Sequence, residues 1–221
     1  MRIAVLGGTG KEGSGLAYRW ALAGHEVVIG SRDAAKAAAG AVELNQLLDG
    51  KAVVRGASNL EAAQAAVVVL TVPYAAQLAT AQSVASQLNG KILVDVTVPL
   101  MPPKVDRVQL PNGESAVVAL QRQLGATVKV VSAFQNVSAT HLKDPAHKVD
   151  CDVLVCGDDA DAREVVIGLA HDAGLRAWHA GVLANSIASE ALTSVLIAIN
   201  KRYKVAGSGL RITGITGVSK T

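Results

Sequence analysis

The segment Ile3-Ala4-Val5-Leu6 reads as a strand and runs directly into Gly7-Gly8-Thr9-Gly10-Lys11-Glu12-Gly13, then into a helical stretch. The G-x-G-x-x-G spacing therefore falls on Gly8, Gly10 and Gly13. The three glycines serve different physical ends. One makes the tight turn, the next lets backbone approach a pyrophosphate, and the third allows close helix-strand packing. The helix N-terminus then faces the phosphates. At the start of a βαβ unit, this pattern predicts a dinucleotide cradle built on Gly8, Gly10 and Gly13.

The end of the next strand selects the dinucleotide. An NAD site places an acid there, about 20 residues past the loop, to hold the ribose hydroxyls. This chain has Gly30-Ser31-Arg32, with Lys36 one turn into the following helix. A hydroxyl and two cations suit a 2′-phosphate, which a carboxylate would repel. NADP(H) is the expected cofactor. Asp33 is the one dissenting carboxylate, and its expected role is N-cap of the helix that follows.

Short β-branched runs alternate with alanine-rich helical stretches along the chain, the pattern of a parallel sheet covered by helices. Strands are expected at Arg2 to Leu6, Glu26 to Ile29, Ala52 to Arg55, Ala66 to Val72, Lys91 to Val94, Thr127 to Ser132, Val153 to Cys156 and Arg176 to His179. Helices are expected at Glu12 to Ala23, Ala34 to Leu47, Leu60 to Ala65, Ala75 to Leu88, Ser115 to Leu124, Ala160 to Asp172 and Ala184 to Tyr203. Ser58 is a second candidate cap. The fold class is α/β, a Rossmann-type doubly wound and mostly parallel sheet, with a small C-terminal α/β extension ending in a long helix. Residues 1–150 read as the dinucleotide domain and 151–221 as the extension. In the long helix Ile187, Ala191, Val195 and Ile199 form one stripe beside Ala188, Leu192 and Leu196, and so wide an apolar stripe needs cover from the sheet or from another subunit. Thr97 to Glu114, with four prolines and an Asn112-Gly113 turn, is the longest irregular stretch.

Composition narrows the function classes. The net charge of +3 comes from scattered Lys and Arg rather than a basic block, so nucleic acid is not an expected partner. No apolar run reaches the roughly 18 to 20 residues of a membrane span, and the N-terminal apolar stretch is too short for a secretory segment. A soluble cytoplasmic protein without a membrane partner is expected. Cys151 and Cys156, five residues apart on a strand, point to opposite faces and read as core residues of a reduced compartment. No metal site is expected.

Ligands of an open α/β sheet bind outside the C-terminal ends of its strands. Aromatic residues are only 3% of the chain, yet Tyr74 and Phe134 both follow predicted strands. They are expected to form an apolar wall for planar rings, with Gln135 and Asn136 supplying amides for a heterocycle's edge. The five histidines are dispersed, and no triad or acid-base pair stands out. That suits hydride transfer, in which the cofactor carries the reactivity and the protein supplies placement. No catalytic side chain is expected.

Beyond the glycine loop, Gly24-His25-Glu26-Val27-Val28-Ile29-Gly30-Ser31-Arg32, Leu70-Thr71-Val72-Pro73-Tyr74, Asp95-Val96-Thr97-Val98-Pro99-Leu100, Val131-Ser132-Ala133-Phe134-Gln135-Asn136, Cys156-Gly157-Asp158-Asp159 and Gly209-Leu210-Arg211-Ile212-Thr213 occur in order. Together they resemble the NADPH-dependent oxidoreductases of the deazaflavin coenzyme F420, over nearly the whole chain. The resemblance implies hydride transfer between NADP(H) and F420 by a homodimer. It implies that Thr9 to Glu12, Ser31, Arg32 and Lys36 hold the adenosine phosphates and pyrophosphate. Val72, Tyr74, Leu78, Val98 and Ala139 would line the rest of the NADP channel. The deazaflavin would lie near Phe134, Gln135, Asn136, Val137 and Leu210, with the extension completing its pocket and the dimer contacts. Some archaeal members carry histidine at the position of Gln135 and proline at that of Ser138. Relatives with a similar nicotinamide site use other acceptors, so a flavin, quinone or ferric reductase is the alternative enzyme, and a non-catalytic NADP(H) sensor the alternative of another class.

Overall fold

The computed structural model describes residues 1–215. β1 (Arg2–Leu6), β2 (Glu26–Ser31), β3 (Val54–Ser58), β4 (Val67–Leu70), β5 (Ile92–Asp95), β6 (Lys129–Ser132), β7 (Asp152–Gly157) and β8 (Arg176–His179) form one sheet in the order β3-β2-β1-β4-β5-β6-β7-β8. The first six strands are parallel in the 3-2-1-4-5-6 order of a dinucleotide fold. β7 then pairs antiparallel with β6, and β8 parallel with β7.

The central strands are continuously apolar because both faces are covered. Side chains alternate: Ile3 and Val5 enter one core with Val27, Ile29, Val67 and Val69, while Ala4 and Leu6 enter the other with Val28, Val68 and Leu70. The first core is closed by α1 (Lys11–Leu22), α2 (Ala34–Leu48) and α6 (Ala160–Asp172), and the second by α3 (Asn59–Ala62), α4 (Tyr74–Ser83) and α5 (Ala116–Leu124). Trp20 of α1 is fully buried and donates its indole N–H to the Leu169 carbonyl of α6 at 2.8 Å, joining the dinucleotide half to the extension. Cys151 and Cys156 are free and buried.

Local signals set most boundaries. Asp33 caps α2, accepting from Ala35 N and Lys36 N, and Ser58 caps α3 in a reciprocal capping box with Glu61. Several element bounds depart from expectation. β3 starts later and continues through Gly56, Ala57 and Ser58, because Asn45 takes both main-chain groups of Val54 and the glycine admits α2, whose Ala37 backbone would collide with a Cβ there. α3 stops at Ala62, and the helix expected to reach Leu88 breaks at Val84 into α4 and a 3-10 turn at Ala85–Gln87.

The largest departure is α7 (Ser186–Tyr203), whose buried face is mainly polar. Ser186, Ser189, Glu190 and Ser194 point inward, whereas Val195, Ile199 and Tyr203 are exposed and Ile187, Ala191 and Leu192 only half-buried. Contrary to expectation, the segment with its preceding turn, Leu183–Tyr203, is long and apolar enough to cross a membrane by length and composition, because the apolar residues are spaced between polar ones rather than run together. What α7 covers is not an apolar surface but the start of α5 and the loop after β6. Glu190 accepts from Ser115 Oγ at 2.5 Å, Ala116 N at 2.8 Å and Val117 N at 3.3 Å. Ser186 Oγ meets Ser115 Oγ at 2.7 Å. The carboxylate thus takes up first-turn donors of α5 that would otherwise be orphaned in the interior. Burial nevertheless pushes its pKa up.

Replacing Glu190 by Ala strands these buried donors, which predicts a loss of about 2 to 4 kcal/mol, measured from the urea midpoint at constant denaturant slope.

Candidate active site

The glycine loop lies over the C-terminal ends of β1, β2 and β4. Gly7 has φ +80° and donates to Gly30 O at 3.0 Å, and Gly8 N donates to Val5 O at 3.1 Å. A Cβ on Gly8 would stand 2.7 Å from Ile29, and one on Gly13 would collide with Thr71 Oγ1. These two glycines are required by packing against β2 and the end of β4. Gly10 is different. Its Cβ would meet only Gly7 O, at 3.3 Å, and the residue is exposed with Thr9 and Lys11 on either side. The space above Gly10 is what a pyrophosphate needs, and α1 begins there with no side-chain cap, whereas α2, α3, α5 and α6 each have one. Unclaimed first-turn N–H groups and the positive helix end suit a phosphate.

Glu12 sits in this first turn. Its Oε1 is buried without a partner, and desolvation pushes its pKa up to about 8, so at neutral pH the side chain is the uncharged acid. An uncharged Glu12 is compatible with a neighbouring pyrophosphate, where a carboxylate would repel it.

At the end of β2, Ser31 is half-buried and accepts from Asp33 N at 3.2 Å, while Arg32 and Lys36 are exposed. Asp33 is occupied as the cap of α2, its Oδ1 receiving Ala35 N at 3.0 Å and Lys36 N at 3.4 Å. The ion pairs among the described residues involve other basic side chains. The corner therefore keeps two uncommitted cations and a hydroxyl, a donor set that fits a phosphate monoester. Val72 and Tyr74 after β4, Val98 after β5 and Ala139 are half-buried, and Leu78, one turn into α4, is 40% exposed.

The loop after β6 is placed otherwise than its sequence suggests. Phe134 is 1% exposed, has φ +73° and packs edge-on against Trp20 with ring centroids 5.8 Å apart. It is a core plug, not an exposed wall, because the left-handed backbone turns the ring inward against Trp20. Asn136 is also turned inward: its amide donates to Ser189 O at 2.8 Å and Thr193 Oγ1 at 3.1 Å of α7. Val137 is buried with them. Leu210 is half-buried against the first core, its backbone tied to Asp152 N at 2.7 Å and Cys151 Sγ at 3.4 Å. His141 and His147 stack on each other at 4.0 Å, in a loop whose carbonyls at residues 141, 142, 144 and 147 all accept from Arg19.

Sequence reasoning missed a polar cluster under these loops. Asp95, at the end of β5, is fully buried; Gln77 Nε2 of α4 donates to its Oδ2 at 2.5 Å and Thr97 N to its Oδ1 at 2.8 Å. Gln135 Nε2 donates to the main-chain oxygen of Asp95 and to Ser132 Oγ, each at 2.8 Å. Burial pushes the Asp95 pKa up to about 6 against these hydrogen bonds, with the Glu190 charge adding to the rise. The available signal was one acid closing an otherwise apolar strand, Ile92-Leu93-Val94-Asp95.

The Glu12 environment carries a pH prediction. Its folded pKa lies above the ordinary 4.5, so its contribution to stability is fully present below that value and is lost as pH rises to about 8. Asp95 has the same sign but is spent by about pH 6. Unfolding free energies compared at pH 6.5 and 8.5 should fall for the wild type and fall less for Glu12→Gln; equal slopes would remove Glu12 as the source.

The family model described as NADP oxidoreductase, coenzyme F420-dependent, matches residues 2–99. The F420-dependent NADP reductase of Methanothermobacter marburgensis is 42% identical, with 97% of this chain and 99% of the relative covered. That of Methanocaldococcus jannaschii is 41% identical over the same shares. A solved structure assigned to a putative F420-dependent NADP reductase from an Arthrobacter species superposes with a TM-score of 0.80 at 31% identity, covering 97% of this chain and all of the other. With its fold, glycine cradle and full-length similarity in agreement, the chain belongs to the family of F420-dependent NADP reductases.

Proposed function

We propose that the protein transfers hydride between NADP(H) and coenzyme F420. The observation that carries this reading is the open cradle at Gly10, flanked by uncommitted Arg32 and Lys36, in a chain similar end to end to reductases named for these two molecules. When bound, the nicotinamide and deazaflavin rings supply the hydride-donating and hydride-accepting carbons. The start of α1, with Thr9, Gly10, Lys11 and neutral Glu12, holds the pyrophosphate, and Ser31, Arg32 and Lys36 read the 2′-phosphate. Val72, Tyr74, Leu78, Val98 and Ala139 form the channel wall and keep water from the reacting face. Gln135, Asn136, Val137 and Leu210 shape the acceptor side, with Phe134 supporting them from the core. Hydride transfer asks of these residues placement within contact distance rather than proton transfer.

The working form we propose is a soluble, cytoplasmic homodimer, with residues 1–150 as the dinucleotide unit and 151–221 completing the acceptor side and subunit contact. The outward face of α7 supports the dimer: Leu192, Val195, Ile199 and Tyr203 form an apolar strip on a helix whose polar side is already spent inside. Contiguous exposed apolar surface of this kind marks an interface.

Absorbance assays with NADPH against F420, FMN, FAD and ferric chelate should show turnover with F420 foremost; NADPH binding without deazaflavin reduction would overturn the proposal. Arg32→Ala should weaken NADPH about 10- to 100-fold, the worth of a lost charge-assisted contact, and NADH much less. Val195→Glu should shift sedimentation from a dimer to a monomer of 22.6 kDa, and an unchanged dimer would place the interface elsewhere.

A further inference from the structure

The Asp95 cluster joins a helix and two loops that the proposed reaction uses separately. Gln77 lies one turn beyond Tyr74 in α4, Thr97 immediately precedes Val98, and Gln135 belongs to the acceptor-side loop. All are nine-tenths or more buried, and each meets Asp95 directly. Ser132, the β6 partner of Asp95 in the sheet register, anchors the Gln135 amide from the other side, and Thr193 of α7 donates to Gln135 O at 2.9 Å. We propose that Asp95 is a positioning residue for hydride transfer: its carboxylate and main-chain oxygen lock the NADP-side loops and the acceptor-side loop into one frame.

Packing alone does not require an acid here. The strands around it are apolar, burying a carboxylate is costly, and an apolar side chain would close the core without that cost. What the acid supplies is direction. Its two oxygens, each with one donor, fix Gln77 relative to Thr97 at angles that no apolar residue specifies, and so hold in place the backbone whose oxygen receives Gln135. The Glu190 charge adds to the rise at Asp95, and Glu190 itself is engaged at the start of α5. Two polar atoms in the frame, Gln135 Oε1 and Thr97 Oγ1, are buried with no protein partner. Polar atoms left open in so ordered a cluster are kept for a bound group or an ordered water.

The inference rests on the proposed reaction, so its test separates the two. Wild type, Asp95→Ala, Gln77→Leu, the double variant and Asp95→Asn would be compared for kcat with NADPH and F420, for NADP+ affinity by calorimetry, and for amide hydrogen exchange by mass spectrometry. Misplacement of reacting groups by about 1 Å costs up to about 100-fold. Asp95→Ala and Gln77→Leu should lower kcat about 10- to 100-fold while NADP+ affinity stays within about threefold, because the phosphate contacts are remote. The double variant should be no worse than Asp95→Ala, the mark of one unit rather than two independent sites. Asp95→Asn should recover most of the rate, since its oxygen keeps the Thr97 bond and its amide meets Gln77 once that side chain is turned over. Exchange should quicken in both residues 95–98 and 133–137 when either Asp95 or Gln77 is truncated. Rates unchanged within twofold, losses that multiply, NADP+ affinity falling in step with kcat, or exchange confined to residues 95–98 would each overturn the frame. Should Asp95→Ala fail to fold, Gln77→Leu and Asp95→Asn carry the same comparison. A wild type inert toward F420 would defeat the proposed reaction, while the exchange pattern would still decide whether the frame exists.

Discussion

The architecture depends on how closely α1 can approach the sheet. At Gly8 and Gly13 the gap to Ile29 and Thr71 is smaller than one methyl group, and only hydrogen fills it. That approach puts the start of α1 directly over the ends of β1 and β4, where its unclaimed N–H groups face outward rather than into a capping side chain. It also sets Trp20, lower on the same helix, against α6 and Phe134. One steric constraint therefore serves both the uncapped start of α1 and the union of the dinucleotide half with the extension.

Within the extension, α6 joins the apolar core, whereas α7 is attached mainly through polar groups. α7 brings Glu190 to the opening turn of α5, Ser189 O to Asn136, and the Thr193 hydroxyl to Gln135 O. Buried hydrogen bonds add little net energy but are costly to break one side at a time, so they specify a single arrangement more than they deepen stability. The apolar residues of α7 are left outward as a consequence. In the same way Asp95 trades the ease of apolar packing for fixed directions between α4 and two loops.

The features read correctly from sequence are those governed by neighbours in the chain. Asp33 and Ser58 cap the helices they precede because a cap acts over two or three residues. The α6 and β8 bounds follow from local periodicity and turn residues. The exposed corner of Arg32 and Lys36 follows from the strand-end position and helical spacing. The site residues misplaced by sequence reasoning depend on distant partners. Phe134 turns inward because Trp20 is there to receive it, and Asn136 because α7 offers an oxygen and a hydroxyl. The rule that an amphipathic helix buries its apolar stripe failed for α7 because the surface it covers presents unsatisfied backbone donors.

By itself, then, the sequence determined the doubly wound fold, the glycine turn before α1 and the exposed cationic corner after β2, because strand alternation, glycine spacing and a strand-end Arg act through backbone geometry within one βαβ unit. Tertiary structure alone decided that Phe134 is core, that α7 turns its polar side inward, and that Asp95, Gln77, Thr97 and Gln135 form one cluster. These depend on which donors and acceptors meet when separate loops close over the same end of the sheet, and linear spacing does not encode that meeting.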